Sequence, residues 1–381
     1  MKIAFIGEAV SGFGGMETVI SNVIHTFENS SPKINCEMFF FCRNDKMDKA
    51  WLKEIKYAQS FSNIKLSFLR RAKHVYNFSQ WLKETSPDIV ICIDIISCLY
   101  ANKARKKSGK QFTIFSWPHF SLDHKKHAEC ITYADYHLAI SSGIKEQMMA
   151  RGISAQNISV VYNPVSIKTI IVPPPERDKP AVFLYVGRLK FEGQKRVKDL
   201  FDGLTRTTGE WQLHIIGDGS DFEKCQAYSR ELGIEQRVIW YGWQSAPWQV
   251  VQQKIKNVTA LLLTSAFEGF PMTLLEAMSY GIPCISSDCM SGPRDMIKPG
   301  LNGELYTPGA IDDFVGHLNR VISGEVKYQH DISMILFPAR YISMILFPAR
   351  LRDFTMCYIL KILIMQYSRN YKSDHYEQKI F

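Results

Sequence analysis

Twice along this chain, short apolar runs alternate with amphipathic helical stretches, and a proline-rich break separates the two series. The first series holds Ile3–Ile6, Cys36–Phe41, Ile89–Ile93, Phe112–Ser116, His137–Ile140 and Ser159–Tyr162, with helical patterns such as Glu17–Phe27 and Tyr76–Glu84 between them. Short unbroken apolar runs suit strands covered on both faces, and strand-helix-strand alternation makes a sheet parallel. The stretch Ile170–Pro180 breaks the pattern with successive prolines and a charged end, as a stiff connector does. The alternation restarts with Val182–Val186, Gln212–Ile216, Val238–Tyr241, Ala260–Leu263 and Cys284–Ser286. The expectation is an α/β chain of two doubly wound, Rossmann-like domains with a cleft between them. Its parts are a domain over 1–169, a linker over 170–180, a second domain over 181–331 and an atypical tail over 332–381.

In wound parallel sheets, ligands sit beyond the carboxyl ends of the strands. The most informative such end is Glu268–Glu276, Glu-Gly-Phe-Pro-Met-Thr-Leu-Leu-Glu, after the apolar run Val258–Ser265. Pro271 suits a helix start, Leu274, Leu275 and Met278 face inward, and Gly281 stops the helix. Glu276 then lies roughly 7 Å along the helix from Pro271, at about 1.5 Å per residue. Free amides at that helix start suit a phosphate, with a carboxylate on either side for hydroxyls.

Other rim positions are Gly12, Gly14 and Gly15, His119, Ser141 and Ser142, Arg188, Gly217, Asp218 and Gly219, and Trp243. The first glycines allow close approach of backbone to an anion ahead of a helix. They are not the dinucleotide fingerprint, whose third glycine is misplaced here and whose ribose-binding acid is missing. Arg188 and Lys195 are two cations near one helix start, able to neutralise a leaving diphosphate without a metal. Taken singly, each cation is more often a surface charge, a His beside aromatics a packed ring, and a Trp such as Trp243 core.

Composition bounds the alternatives. With 46% apolar and 22% charged residues the chain is an ordinary globular one. Residues 1–175 carry 22 Lys and Arg against 14 Asp and Glu, whereas 176–331 carry 17 against 20. A basic first half suits an anionic acceptor or an anionic membrane face, and no nucleic-acid partner is expected. The nine cysteines include no Cys-x-x-Cys pair and read as buried hydrophobes in a reducing compartment. The opening Met1–Gly7 is a strand and not a signal peptide, and no run reaches membrane-span length. The location expected is cytoplasmic, at most peripheral to a membrane.

The motifs Gly14-Gly15-Met16-Glu17, Val186-Gly187-Arg188 with Lys195, Gly217-Asp218-Gly219 and Glu268-x7-Glu276 occur in one order over residues 1–325. In this the chain resembles the retaining glycosyltransferases of the GT-B fold, family 4. The resemblance implies transfer of galactose from UDP-galactose to a glucose of the lipopolysaccharide outer core, in α-1,6 linkage. It implies no cofactor beyond the donor and, with no Asp-x-Asp motif, no metal. Glu276 is then expected to hold the ribose hydroxyls, and Glu268 with the amides of Gly269 and Phe270 the galactose and phosphate end. Arg188 and Lys195 are expected at the departing diphosphate, Trp243 and Ile216 near the uracil and ribose. Gly14, Gly15 and His119 are expected to close the site from the first domain. Departing phosphate oxygen can take the acceptor proton, so no carboxylate pair at glycosidase spacing is required. Alternatives are a nucleotide-sugar epimerase of the same fold and a catalytically impaired sugar-nucleotide-binding protein.

The tail departs from this pattern. Ile332–Arg340 reads Ile-Ser-Met-Ile-Leu-Phe-Pro-Ala-Arg and is repeated at Ile342–Arg350. Two copies do not make a solenoid, and a frameshifted or duplicated end accounts for them.

Overall fold

The computed structural model describes residues 1–10, 15–30, 33–43, 49–165, 168 and 170–328. The tandem repeat, Cys357 and the rest of the tail therefore lie outside the described residues, as does Gly14. The chain divides into two compact units, one over Met1–Pro164 and the other beginning at Val165.

The first unit contains β1 (Lys2–Glu8), α1 (Gly15–Glu28), β2 (Asn35–Cys42), β3 (Tyr57–Phe61), α2 (Ser67–Thr85), β4 (Ile89–Cys92) and α3 (Ile95–Ser108). It continues through β5 (Thr113–Ser116), β6 (Tyr136–Ala139), α4 (Ser142–Met149) and β7 (Ile158–Val160). Its sheet runs β3-β2-β1-β4-β5-β6-β7, parallel throughout. Ile3, Phe5 and Ile6 of β1 and all of β4 are buried because helices cover both faces.

The second unit contains β8 (Ala181–Val186), α5 (Val197–Thr205), β9 (Trp211–Ile216), α6 (Phe222–Glu231), β10 (Val238–Trp240), α7 (Pro247–Val250) and β11 (Ala260–Leu263). It closes with α8 (Met272–Ser279), β12 (Cys284–Ser287), α9 (Pro293–Met296), β13 (Gly303–Tyr306) and α10 (Ile311–Ile322). Its parallel sheet runs β10-β9-β8-β11-β12-β13. Helix α10 turns Phe314, Leu318 and Val321 inward at helical spacing. It lies so close to α5 that a Cβ on Gly203 would sit 2.5 Å from the Phe314 ring.

In each sheet the winding reverses at one place, between β1 and β4 and between β8 and β11. Those carboxyl ends are the crevices where such sheets take ligands.

The apolar runs mark their strands to within a residue or two. Two strands carry no such signal, the edges β3 and β13. Helix α2 begins nine residues before the Tyr76–Glu84 pattern, because its inward face starts only at His74. The stretch after Ile170 is fastened to the second unit: Val172 N–H donates to Tyr280 O at 2.9 Å, and Val258 N–H to Pro173 O at 2.9 Å. No helix among the described residues is long and apolar enough to cross a membrane.

Candidate active site

At the β8/β11 switch point two loops are stitched together. Thr264, just past β11, donates its hydroxyl to the carbonyls of Lys195 and Arg196, 3.0 Å each. Ala266 N–H donates to Gln194 O at 2.8 Å. This brings Lys195 against Glu268: Nζ donates to Oε1 at 2.6 Å, with 14% and 9% of the two side chains exposed. Ser265 Oγ donates to the same Oε1 at 2.6 Å, and Ser291 Oγ donates to the Glu268 carbonyl. Glu268 Oε2 receives no hydrogen bond from a described residue. Lys195 precedes its helix: α5 starts at Val197, with Arg196 in the left-handed region (φ 48°) at its cap.

Arg188 follows β8 with its side chain exposed and in no ion pair among the described residues. Its carbonyl accepts from the Tyr185 hydroxyl at 2.8 Å. Beyond the strand ends the backbone ladder continues, Gly187 N–H to Ile216 O at 3.1 Å and Gly217 N–H to Gly242 O at 2.8 Å. Gly217 is held here by space as well as by its φ of 155°, since a Cβ would lie 1.9 Å from Gly187 O. Ile216 is buried, so it presents backbone to this rim; Trp243 stands exposed beyond β10, the sheet edge.

Glu276 lies on the second turn of α8, whose cap is Pro271. Its Oε2 accepts from the Trp248 indole N–H at 2.8 Å. Trp248 stacks on Tyr280 at 5.3 Å, and the Lys168 ammonium lies 5.9 Å from the Tyr280 centroid. Burial raises the Glu276 carboxyl above its ordinary range, against the Trp248 hydrogen bond and the Lys168 charge, which lower it. Phe270 is buried, and the loop at Gly292 packs over it: a Cβ there would lie 2.5 Å from Pro271 Cδ. Gly269 lies between Glu268 and Phe270 on that loop.

In the first unit, Gly15 is the first residue of α1, at the carboxyl end of β1. His119 follows β5 and meets Trp117 edge-on at 4.3 Å. Both its ring nitrogens are buried and without a hydrogen-bond partner among the described residues. Burial pulls its pKa down to about 3, so the imidazole is neutral. A buried neutral ring with two idle nitrogens can take one hydroxyl as donor and another as acceptor.

The sequence of a lipopolysaccharide 1,6-galactosyltransferase from Salmonella typhimurium is 98% identical over 332 residues, 87% of this chain and 92% of that protein. The chain belongs to the glycosyl transferases group 1. That family's profile matches residues 166–334. A lipopolysaccharide 1,6-galactosyltransferase from Escherichia coli is 67% identical over 331 residues, 87% of this chain and 92% of its own length. The solved apo structure of a lipopolysaccharide outer core galactosyltransferase superposes with a TM-score of 0.86 at 89% identity, covering 96% of this chain and all of that one. The two parallel-sheet units are those of a GT-B glycosyltransferase.

Sequence reading missed three residues of this transferase's rims. Trp248 looks like packing in Pro-Trp-Gln-Val, and only the fold sets its N–H on Glu276. Glu8, at the end of β1, donates its amide to Asp94 Oδ2 at 2.6 Å, and Asp94 also caps α3. Burial and then the Asp94 charge raise the Glu8 carboxyl, against Arg43, Lys125 and Arg70. Its place just past the apolar run Ile3–Ile6 was the available signal.

Proposed function

We propose that this glycosyltransferase moves galactose from UDP-galactose onto a glucose of the lipopolysaccharide outer core, forming an α-1,6 linkage with retention and without a metal. The reading is carried by the 98% identity with an enzyme named for 1,6-galactosyl transfer to lipopolysaccharide. The second unit supplies the donor chemistry. Glu276, fixed by Trp248, accepts the ribose hydroxyls. Glu268 Oε2 accepts a galactose hydroxyl while its Oε1 keeps Lys195 at the rim. The Lys195 ammonium and the Arg188 guanidinium stabilise negative charge as the sugar–phosphate bond breaks, in place of a cation. Same-face attack by the acceptor then places its proton on the departing phosphate oxygen. His119 of the first unit orients hydroxyls as a neutral hydrogen-bonding group. Acting on a lipid-borne acceptor, the enzyme works at the cytoplasmic face of the inner membrane.

The test uses purified protein, UDP-galactose or UDP-glucose, a core oligosaccharide lacking the branch, and a chelator in parallel. Proton NMR of the product should show an α-1,6-linked galactose, formed equally with chelator present. A glucosylated or β-linked product, or loss of turnover on chelation, overturns the corresponding part of the reading.

A further inference from the structure

We propose that the first turns of α2 form a docking surface for an anionic phospholipid bilayer. Leu66, Phe68, Leu69 and Tyr76 are 57%, 65%, 43% and 51% exposed, although α2 has a buried face for apolar side chains. That other face is occupied: His74, Val75, Phe78 and Leu82 pack inward, with His74 Nδ1 2.9 Å from Ser60 Oγ. At about 100° per residue, Phe68, Leu69, Lys73 and Tyr76 share one outward stripe. A solvated helix normally turns polar residues outward; this one turns four large apolar side chains outward within eleven residues.

The charge around them selects the partner. Between Glu54 and Glu84 the sequence has no Asp or Glu and six Lys or Arg. Lys65 and Lys73 flank the apolar side chains, and the Lys107 ammonium, from the basic end of α3, lies 5.3 Å from the Tyr76 centroid. Long lysine stems can lie along apolar groups while their ammonium heads reach phosphate level. Leu66 at the cap gives the first-turn amides no side-chain acceptor, leaving a positive helix end beside the patch. Apolar insertion ringed by cations is the signature of an interfacial contact with anionic lipid. The proposal rests on the transferase reading only in taking the acceptor to be membrane-borne.

Cosedimentation of the full chain with phosphatidylcholine vesicles, alone or mixed with phosphatidylglycerol, tests it. Binding to the mixed vesicles is expected, weakening as salt is raised. Phe68→Ser with Leu69→Ser should lower the partition constant about tenfold or more, and Lys65→Glu with Lys73→Glu should remove the preference for anionic vesicles. Both double variants replace exposed side chains, and transfer to a water-soluble core oligosaccharide should match the parent. Parent-like vesicle binding by both variants overturns the proposal. So does a parent that ignores vesicles but forms a dimer lost in Phe68→Ser/Leu69→Ser, which would assign the patch to a second copy. Failure of transfer to the soluble acceptor by the parent would instead strike the transferase reading, leaving the vesicle result intact.

Discussion

Lys195 and Glu268 hold each other at the end of a loop crossing, and little of either side chain meets water. A cation so placed is ready before charge develops, so its effect should fall on the transition state more than on donor binding. Lys195→Ala is expected to lower kcat about 10²-fold while the Kd for UDP-galactose, by calorimetry, moves less than about tenfold. Wild-type turnover in that variant would remove Lys195 from the chemistry. Glu276 gives a pH prediction. Its folded pKa lies above the ordinary 4.5 because burial disfavours the carboxylate. As an ionised acceptor for ribose it should lose nucleotide affinity on acidification sooner than an exposed carboxylate does. The sign for folding is opposite: the native state binds this proton more tightly than the unfolded chain. Its contribution to stability is therefore full below the unfolded pKa and is lost as pH rises through the folded one. Calorimetric titrations with UDP from about pH 7.5 to about pH 5 should show the fall, and Glu276→Gln should bind more weakly and flatten it. An unchanged slope in Glu276→Gln would assign the titration to another group.

At the scale of elements, the strand ends of the second unit are spaced by glycine. Gly217 passes so near the Gly187 carbonyl that Gly217→Ala must move backbone, costing about 1–3 kcal/mol or more, read as a lower denaturation midpoint. Gly193→Ala is the control. Gly193 also has positive φ (72°), but nothing lies within 4 Å of the new methyl, so about 1 kcal/mol is expected. Equal losses in the two would mean that backbone conformation, and not the close approach, governs both. The elements that escaped the sequence share a cause. β3 is an edge strand in which only Ser60 of Tyr57–Phe61 is buried. β13 begins with Gly303, pressed against the Cys284 carbonyl, and includes Glu304. Neither needs an unbroken apolar run.

For the whole molecule, the described core of the second unit reaches to Tyr328. Phe314, Leu318 and Tyr328 belong to one buried cluster with Tyr185 and Leu213, and the Tyr328 hydroxyl donates to Glu304 at 3.2 Å. The residues assigned to the donor lie between Arg188 and Glu276, within that unit. Removal of residues 332–381 should therefore leave UDP affinity within about twofold of the parent, as measured by calorimetry. A larger loss would show that the tail supports the nucleotide site.

Much of this architecture could be read from the chain because parallel sheets covered on both faces demand apolar runs, and their ends demand glycine, cap and turn residues. Those local demands placed Glu268 and Glu276 around a helix start and Arg188 after a strand. Which groups meet was settled by the fold. Lys195 and Glu268 are 73 residues apart and face each other only because Thr264 and Ala266 tie their loops together. Trp248 reaches Glu276 across 28 residues, from a helix whose sequence reads as plain packing. His119 became a neutral ring with idle nitrogens through burial, which no neighbour in sequence specifies. Periodicity is a property of one segment; pairing, desolvation and the shift of a carboxyl or an imidazole belong to segments brought together.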